Sequence, residues 1–278
     1  MIQGVPPSPI LVAGLLRKVD SELLSLLRTL NPEDWERPTV SPKWNVKDVT
    51  AHLLDTALRK LSLVRDGFFG TGPAEGEPLP AFINRLNDAG VRHYRQLSPA
   101  VLISLMQTAV EESADFHEAL DPFAPAVFGV TWAGEEQSLN WFDTARELTE
   151  RWHHQEQIRL AVGRPGILNR ELYHPVLDCF FRALPHSYRD IAADEGTALR
   201  FEVVGPCGGN WLLRRAAYLW ELVTFLEQEP QAHVRIPEAI AWRIFTKGVS
   251  QSEAGTYVEV RGRAELASNL FKTVAIVA

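Results

Sequence analysis

Cysteine is almost missing from this 278-residue chain, which has only Cys179 and Cys207. Two residues cannot form a disulfide framework, and neither belongs to a C-x-x-C pattern. Cys207, in "GPCGG", is read as an ordinary loop cysteine in preference to a reactive thiol. Positive charge is also short: 28 Lys and Arg stand against 35 Asp and Glu, giving a net charge of -7. No basic stripe is available to neutralise phosphates, so nucleic acid is not an expected partner. The opening "MIQGVPPSPILVAGLLRKVD" lacks a basic leader, and Arg17, Lys18 and Asp20 soon break its apolar run. It is read as neither signal peptide nor membrane anchor, and the expected compartment is the cytoplasm. The Gly- and Pro-rich "GFFGTGPAEGEPLP" carries no following Lys-Ser/Thr. It is therefore a loop and not a phosphate cradle. Internal repeats and low-complexity tracts are absent.

Helical periodicity is abundant. Hydrophobic residues make up 46% of the chain and recur at helical spacing over about 10–30, 46–64, 81–97, 99–119 and 139–162. Long helices with few strand-like runs before Gly163 predict an antiparallel helical bundle. A linking helix over about 170–191 follows. Beyond it, "LRFEVV", "NWLLRR", "AHVRI" and "TYVEVRG" read as strands. "AYLWELVTFLEQ", "PEAIAWRIFTK" and "AELASNLFKTV" read as helices. The expected fold class is α+β in two domains: a four-helix bundle over 1–165, and a linking helix with a small α+β domain over 166–278.

Two helices carry candidate chemistry. Asn45 and Asp48 form a capping arrangement that starts a helix at Val46. His52 then falls at the edge of the stripe Val46, Val49, Leu53, Ala57 and Leu61. It is either a core-edge histidine satisfied by Asp48 or a backbone carbonyl, or one ligand of a site. On the helix over 139–162, Trp141, Ala145, Leu148 and Trp152 form an apolar stripe. Asp143, Glu147, Glu150, His154 and Gln157 form a polar stripe opposite it. Glu150 and His154, at i and i+4, project side by side. A solvated face has the same spacing. Bundles, however, build metal centres from inward Glu and His on facing helices, and His52 offers a third ligand. Two histidines and one carboxylate suit a divalent metal with open positions. His153 points about 100° away from His154 and is read as a neighbour of the site.

The segments "WNVKDVTAHLLDT" and "ELTERWHHQEQIRLAVGRP" resemble the signature stretches of the DinB-like bundles, in particular the mycothiol-dependent maleylpyruvate isomerase family. The resemblance spans nearly the whole chain. It implies a metal-binding four-helix bundle followed by a domain similar to sterol carrier protein type 2. It also implies a metal on His52, Glu150 and His154, zinc first and nickel second, with a low-molecular-weight thiol as cosubstrate. One departure stands out: the family often has Asp-Ile-Arg after the second histidine, where this chain has Gln157-Ile158-Arg159. A neutral amide there could still hold a ligand or a water.

The function expected is a metal-dependent enzyme, a thiol-dependent isomerase or S-transferase acting on a small electrophilic, carboxylate-bearing substrate. A cation for that carboxylate is sought in "AWRIFTKG", where Arg243 and Lys247 are i and i+4 on the predicted helix; an ordinary charged helix face is the alternative. Two rivals remain. One is a metal-dependent hydrolase with Glu147 or Asp143 as base. The other is a small-molecule binding or carrier protein whose metal only stabilises the bundle. Expected partners are a small molecule and a thiol, with no membrane, and a homodimer is compatible with the sequence.

Overall fold

A computed structural model describes residues 5–276, so the first four residues of the segment read above as neither leader nor anchor lie outside it. Among the described residues no helix is long and apolar enough to cross a membrane. Four helices form the bundle: α1 (Ala13–Leu27), α3 (Val46–Lys60), α5 (Pro99–Ala119) and α6 (Asn140–Ala161). The short α2 (Pro32–Trp35) leads into α3, and α4 (Leu79–Tyr94) packs against the outer side of α3. At Gly90 that contact is so close that a Cβ would lie 2.2 Å from the Asp55 carboxyl, so α4 needs glycine there. The predicted capping box at α3 is present: the Asn45 side chain accepts from Asp48 N–H and the Asp48 side chain from Asn45 N–H.

One half of the bundle has an apolar interior built from Leu23, Leu27, Val46, Val49, Leu54, Leu102 and Met106. Along α6 the arrangement is reversed. Its apolar stripe, Ala145, Leu148 and Trp152, faces out of the bundle toward the C-terminal half, and its polar stripe faces in. Trp152 stacks on Tyr173 of α7 (Arg170–Phe181) at 4.3 Å between ring centroids, and meets the edge of Trp242. A single hydrophobic core thus runs from Leu16, Val19, Phe142 and Trp152 into Tyr173, Phe180, Phe201 and Phe245.

The inward polar stripe survives burial by pairing. Arg151 donates to Asp20, Glu147 and Ser113, while Lys60 and Arg146 both donate to Asp143. Removing one partner of such a pair leaves an uncompensated buried charge, which costs about 3–5 kcal/mol. Asp20→Ala is therefore expected to lower the urea-unfolding free energy by that amount. The double variant Asp20→Ala/Arg151→Met should recover much of the loss.

The C-terminal half is a five-stranded sheet in the order β3-β2-β1-β4-β5. Its strands are β1 (Ala198–Val204), β2 (Gly209–Arg215), β3 (Trp220–Val223), β4 (Ala232–Pro237) and β5 (Glu259–Gly262). Only the β1–β4 pair is parallel. The helices α8 (Leu184–Tyr188), α9 (Glu238–Phe245), α10 (Gln251–Tyr257) and α11 (Ala264–Ala267) complete it.

Four expectations are corrected. "AYLWELVTFLEQ" contains strand β3 and not a helix, because Trp220 and Leu222 bury on one side while Glu221 pairs across to Arg214. The helix expected over 170–191 is broken between α7 and α8, where Pro185 has no N–H to continue the ladder. "TYVEVRG" starts as the end of α10 and only then becomes β5. "AELASNLFKTV" splits into α11 and a 3₁₀ turn over Ser268–Lys272.

Candidate metal centre

His52 lies mid-helix on α3, and Glu150 and His154 lie on the facing α6. One ligand atom from each lies within 4.8 Å of the others. The Nε2 atoms of His52 and His154 both sit 3.2 Å from the same oxygen, Glu150 Oε1. A tetrahedral zinc with bonds of about 2.0–2.1 Å has ligand-to-ligand edges of roughly 3.3 Å, so this spacing matches a shared ion. The sequence alternative for His52, a ring satisfied by Asp48 or a carbonyl, is not what the structure holds: its Nδ1 is buried without a partner and Asp48 is engaged at the cap.

The donor set points the same way. His154 Nδ1 donates to Gln157 Oε1 at 2.8 Å, so in the neutral ring Nε2 carries a lone pair. That lone pair faces a carboxylate oxygen, an arrangement of two acceptors that needs a proton or a cation between them. Burial holds the other ring, His52, neutral by pushing it down to about 4, so it can act as a ligand. Burial also acts to raise Glu150, but the charge of His154 and hydrogen bonds from both histidines outweigh it and hold the carboxylate well below its usual range. At neutral pH the donors therefore fit a divalent cation.

The surrounding residues explain the local motif. Trp44 packs its ring 4.7 Å from His52 and 6.1 Å from His154, forming a lid over the two ligands. Val46 and Val49 are fully buried and fix the roll of α3, which aims His52 at α6. Gln157 fills the place of the family's usual carboxylate and orients the His154 ring as an acceptor. Loss of such an orienting partner typically costs 10–100-fold in metal affinity. Gln157→Ala is expected to weaken metal binding by about that factor with all three ligands intact, as measured by competition with a chelating dye.

His153 does not join the ligands. Its Nδ1 donates to Thr149 O at 2.7 Å, its ring stacks obliquely on His154, and burial pushes it down to about 3. The two carboxylates considered as hydrolytic bases are also engaged. Burial acts to raise Asp143 and Glu147, but Lys60 and Arg146 hold the first low and Arg151 and Lys60 the second. Neither is poised to take a proton from water near neutral pH. Both cysteines are buried, and burial pushes the Cys207 thiol up to about 11.

Arg243 and Lys247 are not helical neighbours, because α9 ends at Phe245 and Lys247 takes a left-handed conformation with φ 57. Arg243 Nε donates to Gly248 O at 2.9 Å, and its Nη2 lies 3.7 Å from Glu253. The two cations line a shallow groove of about 420 Å³ together with Val40, on the loop that leads to Trp44. A larger cleft of about 1080 Å³, lined by Trp141, Arg182, Arg214 and Trp220 among others, shares no lining residue with the triad.

Along α6, every residue from Phe142 to Ile158 is buried except Arg146 and Glu150. On α3 the residue one turn beyond His52, Thr56, is likewise half-buried. The side chains of Arg146 and Glu150 keep 27% and 25% exposure. The sequence reading missed Arg146, although its spacing from Asp143 (i+3) and Glu150 (i−4) was available.

Comparison with known proteins gives two findings. The family model described as "Mycothiol maleylpyruvate isomerase N-terminal domain" matches residues 16–159. Crystal structures of a mycothiol-dependent maleylpyruvate isomerase and of a point mutant share this fold at a TM-score of 0.55 and 12% identity, over 90% of this chain and 92% of theirs. Among curated protein sequences none matches significantly.

Proposed function

Because the chain belongs to the mycothiol maleylpyruvate isomerase N-terminal domain family, we propose that it is a metal-dependent enzyme using a mycothiol-like thiol to isomerise a small unsaturated carboxylate, or to transfer sulfur to it. The observation that carries this reading is the convergence of two histidine nitrogens on one oxygen of Glu150, whose side chain keeps 25% exposure. A divalent ion there, zinc before nickel, would stabilise a thiol in its nucleophilic thiolate form at neutral pH.

The chain's own residues supply the rest. Gln157 fixes the His154 tautomer and Trp44 shields the ligand rings from water. Fixed donors of this kind limit reorganisation during reaction. In the isomerisation the thiolate sulfur bonds to one alkene carbon and the π electrons move into the conjugated carbonyl. Rotation about the resulting single bond follows. The C–S bond then breaks, re-forming the alkene and returning the thiolate, so no oxidant or reductant is consumed. In the transfer reaction the C–S bond is kept and the enolate takes up a proton at carbon, the one the thiol lost, to give the saturated thioether.

The hydrolase reading is less well supported, since Asp143 and Glu147 are both held in buried ion pairs. We assign the metal centre to a bundle unit over 1–165 and propose Arg243 and Lys247, from 166–278, which line a groove together with Val40, as a second source of positive charge for the substrate. Cytoplasmic location accords with a small thiol cosubstrate. The test is turnover: zinc-loaded protein with maleylpyruvate should form the trans isomer with mycothiol and not without a thiol. Hydrolysis products without a thiol would favour the rival.

A further inference from the structure

We propose that Arg146 is the specificity-determining residue of this site, binding a substrate carboxylate beside the metal centre. The inference rests on the functional reading above for the nature of the substrate, and on geometry for the residue.

Between Phe142 and Ile158 on α6, Arg146 and Glu150 are the two residues that are not buried, and they are one helical turn apart. Their side chains keep 27% and 25% exposure, while the other polar side chains of the stripe are sealed inside the bundle. A molecule that reaches Glu150 from this face of α6 therefore comes within one helical turn of the Arg146 guanidinium.

That guanidinium is held in place without being used up. Nε and Nη2 both donate to Asp143 Oδ1, at 3.3 and 2.7 Å. Asp143 is pinned from the other side by Lys60 and is buried, so it cannot follow the arginine out into solvent. Among the described residues Nη1 has no hydrogen-bond partner. Lys60 shares the Asp143 charge and the Glu147 and Glu150 carboxylates also act on Arg146, so it is the Nη1 edge of the fork that is left to make a charge-assisted hydrogen bond to a further anion. Arg243 is placed differently, since it already donates to Gly248 O and lies near Glu253. The favoured substrate is thus an electron-poor alkene bearing a free carboxylate, oriented with that carboxylate toward the N-terminal end of α6 and the alkene toward Glu150.

The test is binding to the zinc-loaded full chain in the absence of any thiol, which separates it from the thiol-dependent reading. Fumarate and dimethyl fumarate serve as probes and calorimetry as the readout, with metal content checked for each variant. Fumarate should bind the unmodified protein, and Arg146→Gln should weaken it at least tenfold while leaving dimethyl fumarate unchanged. Arg146→Lys, which keeps the charge but loses the fork, should fall between. A merely structural role would shift both probes, or the metal content, together. No saturable fumarate binding by the unmodified protein, or equal losses for both probes, overturns the assignment. A result in which fumarate discrimination holds but no thiol supports turnover leaves Arg146 as the carboxylate site and removes the thiol chemistry.

Discussion

Glu150→Gln and His154→Ala are each expected to lower metal affinity by more than about 100-fold, beyond the range seen for loss of a mere orienting partner, and to abolish turnover. Among the described residues three protein ligands converge, so removing one leaves a two-ligand site that cannot hold a divalent ion against water. Glu150→Gln is the sharper variant because it keeps the shape. In the metal-free fold a neutral His52 still keeps one ring proton, which Nε2 can donate to Glu150, and the amide oxygen of the variant can accept it in the same place. The amide should therefore fold normally, with a melting temperature close to that of metal-free parent protein. Metal should raise the parent's melting temperature and not the variant's, since a ligand stabilises only the state that binds it. Equal stabilisation of parent and Glu150→Gln would place the ion elsewhere.

Acid should unfold the metal-free protein over a narrow and mild range. Burial pushes His52 and His117 down to about 4 and His153 to about 3, so all three are neutral in the fold, while the unfolded chain takes protons near 6.5. Stability that depends on their neutrality is complete above the unfolded value and is lost as the pH falls toward the folded values. Each contributes about 3 kcal/mol by pH 4, at 1.36 kcal/mol per pH unit. Asp20 works in the opposite sense. Burial raises it to about 6 despite Arg151, so the fold binds that proton first, a gain fully present below 3.8 and lost as pH rises through 6. For these four groups the balance near pH 5 is uptake of about two protons on unfolding, or about 3 kcal/mol lost per pH unit. Urea midpoints between pH 7.5 and 4.5 should show that slope, and His117→Gln should remove about one proton from it. A flat profile between pH 7 and 5 would mean that these rings are solvated.

Much of this organisation was legible in the sequence because its signals are local. The Asn45–Asp48 cap, the Val46–Val49–Leu53 stripe and the i,i+4 pair Glu150–His154 each lie within one helix, and a helix fixes which residues share a face. The direction in which a polar stripe points is a different matter. Asp143, Glu147, Glu150, His154 and Gln157 read equally well as a solvated face, and the bundle buries them only because Lys60, Arg151 and Asp20 arrive from other helices to pair with them. Strand β3 was hidden for a similar reason. Its Leu- and Glu-rich surroundings favour a helix locally, and the override is the pairing of Trp220–Val223 with β2. Arg146 carries no signal of its own in the sequence; it stands out only because its neighbours are buried, leaving it and Glu150 as the two residues of α6 between Phe142 and Ile158 that are not.

The central claim is that the His52–Glu150–His154 centre holds a metal with a position open to a thiol. Cobalt substitution tests it most directly, because a thiolate donor adds a sulfur-to-metal charge-transfer band that water and oxygen ligands do not. Titration of the cobalt-loaded full chain with mycothiol should produce that band stoichiometrically and more strongly as the pH rises toward neutrality, since the thiol must lose its proton to bind. Bacillithiol, glutathione and coenzyme A serve as comparisons, and His154→Ala should show no band. A spectrum unmoved by every thiol, but shifted by a hydroxamate, would contradict the account and identify an open centre directed to oxygen ligands instead.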